Sequence, residues 1–159
     1  MEKTFSFTYQ TLALDDLPKA DGDLCRMALQ TTHGSYAPYS QFEVGAALRL
    51  SNGETVTGAN QENASYPCGT CAERTALNYA RTVWPDVNIE AIAVAAMQQD
   101  TVTGTPPYPC GLCRQSLAEV EHRQGTPIRV MLVAADEVLV FSSAECLLPL
   151  AFHSTDGHF

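Results

Sequence analysis

Tyr66-Pro67-Cys68-Gly69-Thr70-Cys71-Ala72-Glu73-Arg74 is the stretch on which the reading of this chain turns. It sets a soft metal ligand, Cys71, two residues ahead of a carboxylate, Glu73. Downstream comes Pro109-Cys110-Gly111-Leu112-Cys113-Arg114-Gln115. Each block reads as a turn opening a helix. Together they offer three or four thiolates, one acid and two arginines, the donor set of a zinc site that activates water.

Working outward, Cys71 to Val83 reads as a helix with Ala76, Leu77 and Ala80 inward, and Gly111 to Gln124 as another. Between them Ile89 to Ala96 is a nearly continuous apolar run, the mark of a buried strand. Gln98 to Pro109 reads as a long proline-rich loop. Upstream, Phe42 to Leu50 and Thr55 to Ala59 form a hairpin around Ser51-Asn52-Gly53-Glu54, because Asn-Gly tolerates the positive φ of such turns. Ala20, Leu24 and Ala28 are spaced for a helix from about Ala20 to His33, with Gly34 as its stop. Downstream, Ile128 to Ala134 and Val138 to Phe141 are further strands. Ser143 to Leu148 is a short helix capped by Ser142 or Ser143. The alternation of Phe5, Phe7, Tyr9 and Leu12 fits a short edge strand or an N-terminal arm equally. The order of elements predicts an α/β layered domain around one mixed sheet of about five strands. Residues 1–159 are expected to form one domain, with an extension over residues 1–19 and a frayed tail over residues 153–159.

The chain has 159 residues, of which 45% are hydrophobic, enough for a buried core. Its net charge of −9 disfavours DNA, RNA and anionic membranes as partners and points to a small, uncharged ligand. Met1 to Gln10 lacks a basic segment followed by an apolar run, so no signal peptide is expected. No apolar stretch is long enough to span a membrane. These features predict a cytoplasmic protein whose six cysteines are reduced, and paired C-x-x-C spacing then favours metal over disulfides.

Cys110 and Cys113 place two sulfurs on one side of an ion, and Cys71 can supply a third. Cys68 leaves an alternative open: two C-x-x-C pairs can close a structural four-sulfur site with no room for water, as in a non-catalytic interaction module. Glu73 argues for an open site, because a carboxylate two residues past a ligand can hang over a vacant coordination position and move protons. Its other reading is an acid favoured by the helix dipole.

Cys71-Ala72-Glu73-Arg74 with Pro109-Cys110 and Cys113-Arg114-Gln115 resembles the zinc-dependent cytidine deaminase superfamily, whose signature pairs an activated water with a non-ligand Glu. Tyr36-Ala37-Pro38-Tyr39-Ser40, Phe42, Val44-Gly45-Ala46-Ala47, Asn60, Glu62-Asn63-Ala64, Tyr66, Leu147-Leu148-Pro149 and Ala151-Phe152 are similar to the small enzymes of that superfamily that act on free nucleosides. The resemblance implies a three-layer α/β/α fold with a five-stranded mixed sheet. It implies one zinc per chain on Cys71, Cys110 and Cys113, with Glu73 as proton shuttle. Asn60 and Glu62 would bind the ribose 3′-hydroxyl, and Phe42 would pack on the pyrimidine. Ala64 O and Glu73 would contact the amino group and N3 of the base, and the N–H groups of Ala72 and Cys110 would lie near the substrate. Arg74 and Arg114 would draw charge from the sulfurs. The expected reaction is deamination of cytidine and 2′-deoxycytidine, in pyrimidine salvage. The expected assembly is a homotetramer in which Phe152 closes a neighbour's pocket. Related aminopyrimidine nucleoside antibiotics and polynucleotides are rival substrates. The Asn60/Glu62 pair speaks against the first and the net charge against the second. The extension, the Gln98–Tyr108 loop and Cys68 depart from the usual small members. His33, His122, His153 and His158 match no ligand position and read as surface or structural residues. Cys25 and Cys146 read as inert thiols.

Overall fold

In the computed structural model, which describes residues 1–153, the chain runs through seven strands and three α-helices. The strands are β1 (Tyr9–Leu12), β2 (Phe42–Leu50), β3 (Thr55–Ala59), β4 (Ile89–Gln98), β5 (Thr101–Val102), β6 (Arg129–Val133) and β7 (Val138–Phe141). The helices are α1 (Lys19–Thr31), α2 (Ala72–Val83) and α3 (Gly111–Gln124). All strands join one sheet in the order β1-β7-β6-β4-β2-β3, with β5 added to the end of β4. Only β4 and β6 pair in parallel, so the sheet is mixed as expected.

β4 shows why its sequence lacks visible alternation. Both of its faces are covered. Ala91, Ala93 and Ala95 face α1, together with Leu24, Cys25 and Ala28. Ile92 and Val94 face α2 and α3, among Leu48, Ala76, Leu77, Leu117, Val130 and Leu132. The result is three layers, one helix on one side and two on the other. Two glycines set how closely the helices approach. A Cβ on Gly45 of β2 would stand 2.2 Å from Ala28 O of α1, and one on Gly58 of β3 would stand 2.4 Å from Ala76 N of α2. Both neighbours are backbone, which cannot swing aside, so each helix axis lies at a distance only glycine allows.

The expected five strands are all present, and the sheet has two more. β1 pairs antiparallel with β7, and Tyr9 stacks on Phe141 with ring centroids 5.2 Å apart. The N-terminal segment is therefore an edge strand. β5 lies inside the expected loop, joined to β4 by a two-residue turn in which Gln99 and Asp100 both have positive φ, 51° and 59°. That backbone is the type I′ hairpin turn, usually made by Asn-Gly or Asp-Gly, so its sequence gives no sign of it. The short helix near the C-terminus is a 3-10 turn over Ala144–Leu147, and Ser143 Oγ accepts a hydrogen bond from Glu145 N at 3.1 Å. Buried Asp21 of α1 ties that helix to the sheet through Arg49 (2.9 Å) and Arg129 (2.8 Å). The expected frayed tail lies, beyond His153, outside the described residues.

Candidate active site

Cys71 and Cys110 are the N-cap residues of α2 and α3, with extended backbone ahead of the first helical turn. Their carbonyls accept the first helical hydrogen bonds, from Thr75 N and Arg114 N, both at 3.0 Å. Two helix N-termini thus converge, and their free N–H groups and dipoles favour thiolate. Cys113, the third residue of α3, is buried and brings in the third sulfur. Cys71 and Cys110 sulfurs stand 3.8 Å apart, and those of Cys110 and Cys113 3.5 Å. All three lie within 4.8 Å of one another. Sulfurs held about 2.3 Å from one zinc in a tetrahedron stand about 3.8 Å apart, so the donor set fits that ion. The charge pattern agrees. A hydrogen bond from Cys113 lowers the Cys71 thiol to about 6, and the same bond drives Cys113 far up. Three crowded sulfurs cannot all ionise without a cation between them.

Cys68 does not join this group. It ends the 3-10 turn Tyr66–Cys68 and is exposed, outside the three-sulfur cluster. The structure thus brings together three sulfurs, not four, among the described residues. Glu73, two residues past Cys71, is 5% exposed, and burial pushes its carboxyl above the usual range. A carboxyl raised in this way binds its proton more readily than a free one, which suits a group that takes up and passes on protons.

The cluster opens into a cavity of about 1220 Å³ that Phe42, Asn60, Glu62, Ala72, Glu73 and Arg74 help to line. Asn60 is held by its own amide: Oδ1 accepts from Val44 N at 2.8 Å and Nδ2 donates to Phe42 O at 2.9 Å. This pairing fixes the Asn60 side chain against the strand that carries Phe42. Glu62 Oε2 accepts from Tyr39 N at 2.9 Å and Ser40 N at 3.3 Å. Hydrogen bonds from Ser40 and Tyr39 keep its carboxyl below the usual range, so it is an anionic acceptor. Ala72 opens α2, and its N–H belongs to the first turn, where no carbonyl of the helix can reach.

Arg74 and Arg114 part company. The Arg74 charge is among the influences that lower the Cys71 thiol. Arg114 points elsewhere: Nε donates to Pro109 O at 2.7 Å and Nη1 to Leu147 O at 3.0 Å. It braces the turn ahead of Cys110 against the C-terminal segment. Ala64 and Phe152 are not among the residues lining this cavity. Phe152 is 67% exposed, and its backbone is held by Gln115, whose Nε2 donates to Phe152 O (2.7 Å) and whose Oε1 accepts from Phe152 N (3.3 Å).

Two features escaped the sequence reading. The segment from Thr101 to Tyr108 forms a wall of the cavity. Glu121 of α3 is buried and accepts from Ile128 N (2.6 Å), Ala144 N (2.8 Å), Glu145 N (3.3 Å) and Ser143 Oγ. It anchors the last strand-to-helix segment to the helix that carries Cys113.

A family model described as "Cytidine and deoxycytidylate deaminase zinc-binding region" matches residues 18–126. A cytidine deaminase of Halalkalibacterium halodurans is 44% identical over 97 residues, covering 61% of this chain and 69% of that one. A cytidine deaminase of Mycobacterium tuberculosis is 36% identical over 104 residues, 65% of this chain and 74% of that one. The crystal structure of a cytidine deaminase from Burkholderia pseudomallei superposes with a TM-score of 0.68 at 38% identity, over 82% of this chain and 97% of the other.

Proposed function

The chain belongs to the cytidine and deoxycytidylate deaminase family, and we propose that it hydrolyses cytidine and 2′-deoxycytidine to uridine and 2′-deoxyuridine, releasing ammonia. The observation that carries this reading is a buried acid, Glu73, that lines one cavity together with Cys71 and Cys110 of the three-sulfur cluster, a cavity with ample room for a nucleoside. Zinc on Cys71, Cys110 and Cys113 supplies the Lewis acid that makes water a nucleophile at neutral pH. The residues of the chain do the rest. Glu73 takes a proton from the attacking water and gives it to N3 of the base, then takes the proton left on the added hydroxyl and delivers it to the departing amino group. Water and nucleoside thus become ammonia and the 4-oxo product. Phe42 packs on the pyrimidine. Glu62 accepts from the ribose 3′-hydroxyl through Oε1, and Asn60 holds the Phe42 strand while its second amide hydrogen reaches the same hydroxyl. Ala64 O lies on the neighbouring loop and is assigned to the amino group. Arg74 moderates the negative charge that three thiolates bring.

The active unit is a homotetramer that acts on free nucleosides in pyrimidine salvage. Exposed Phe152, Leu150 and Leu112 support an apolar interface between copies. Thiolate ligands require a reducing compartment, which supports a cytoplasmic location. No helix among the described residues is long and apolar enough to cross a membrane. A net charge of −9 speaks against polynucleotide substrates.

Glu73→Gln tests the mechanism. The amide keeps the shape and removes the proton carrier, so turnover of cytidine should fall by about 10²–10⁴-fold or more while zinc content and fold are retained. Turnover near that of the parent would refute the assignment.

A further inference from the structure

Away from the sulfurs, a second set of ligand-type side chains converges from three parts of the chain. His122 lies in the last turn of α3, Glu145 in the 3-10 turn Ala144–Leu147, and His153 just past Phe152. One donor atom from each lies within 4.8 Å of the other two. The imidazoles of His122 and His153 stack at 4.4 Å with 25° between their planes. His153 Nδ1 is buried and has no hydrogen-bond partner. Among the described residues, no hydrogen bond or ion pair joins either ring to the Glu145 carboxylate.

An imidazole next to a carboxylate ordinarily closes on it, because a charge-assisted hydrogen bond is the strongest contact open to the pair. Here the donor atoms lie within 4.8 Å of one another without bonding, and a buried ring nitrogen is left unsatisfied, which is costly without a partner. Two donors each about 2.1 Å from one ion stand roughly 3–4 Å apart, so the set needs only a small contraction to share a cation. His122 is exposed, so its ring has room to turn out of the stack as the donors close on an ion. Two neutral nitrogens and one carboxylate oxygen suit zinc, cobalt or nickel rather than calcium or magnesium. The strongly acidic chain raises the local concentration of such cations.

We propose that His122, Glu145 and His153 form a second transition-metal site, made of nitrogen and oxygen donors and separate from the three-sulfur site. An ion there links α3 and the 3-10 turn to the segment that presents Phe152. It would pin that segment beside the hold that Gln115 already has on the Phe152 backbone.

Cobalt titration of the zinc-loaded protein, with bound metal counted by equilibrium dialysis and elemental analysis, tests this. The expected result is one additional equivalent per chain, with d–d absorption but no sulfur-to-cobalt charge transfer. His122→Ala and Glu145→Gln should each weaken that equivalent at least ten-fold while zinc on the sulfurs is unchanged. Both residues are exposed, so neither substitution should cost the fold. No second equivalent, or one that both variants retain at parental affinity, would overturn the site. Sulfur-to-cobalt absorption in the added equivalent would also overturn it, since the metal would then sit on thiolates.

Discussion

Glu73 draws its chemistry from placement, since a carboxylate in the first turn of a helix is otherwise an ordinary dipole partner. Burial and the neighbouring Cys71 raise its carboxyl, and its place in the cavity wall suits the proton carrier proposed above. The pairing of Glu73 with Cys71, Cys110 and Cys113 was legible, because helix openings and C-x-x-C spacing constrain where those atoms point. Cys68 was not: spacing alone allows a four-sulfur site, and only the 3-10 turn that exposes Cys68 separates it from the others. Arg114 was illegible for a related reason. A long side chain can reach several partners, and here backbone carbonyls of Pro109 and Leu147 hold it. The sulfur count leads to a prediction. Cys71→Ala should lose most of its zinc, whereas Cys68→Ala should bind one zinc per chain like the parent. Metal analysis of the two variants decides; equal loss would restore the four-sulfur reading.

Elements carry the site through two contacts in which glycine meets backbone. α2 can present Cys71 and Glu73 at the cavity only because it lies directly on Gly58 of β3, with no Cβ between them. The same holds for α1 on Gly45. Periodicity placed the helices and the five inner strands, since those signals come from burial. It missed β5, where the turn is made by Gln99 and Asp100 in a conformation their side chains rarely adopt. It left β1 undecided, because alternating aromatics on an exposed edge look the same whether or not a partner strand exists. The glycine contact predicts the effect of Gly58→Ala. A methyl 2.4 Å from Ala76 N must push α2 outward. Overpacking of this kind costs about 1–3 kcal/mol. Because the start of α2 carries a sulfur, zinc content should fall along with stability. Denaturant unfolding and metal analysis check both, and a variant within 0.5 kcal/mol of the parent, taken as roughly the scatter of neutral surface changes, would show that α2 is not so tightly seated.

At the scale of the molecule, the cavity is open and the aromatic that resemblance assigns to its closure is elsewhere. Phe152 does not line the cavity of its own chain and is 67% exposed, held at its backbone by Gln115 of α3. A large apolar ring presented to solvent on a braced segment suits a contact with a second copy, and closed symmetry places the equivalent contact at every subunit. If the proposed homotetramer shares its sites, two defective chains can repair each other. A Phe152→Ala chain keeps Glu73, and a Glu73→Gln chain keeps Phe152; each homotetramer lacks one of the two at every site. After random exchange of equal amounts, about a quarter of the sites would combine the intact Glu73 of one chain with the intact Phe152 of another. Cytidine turnover in the mixture should then rise above the sum of the separate samples. The rise should follow the rate of subunit exchange, measured in parallel by mass spectrometry of the mixed assemblies. A monomer by light scattering, or unchanged turnover once exchange is complete, would mean that each chain builds its site alone.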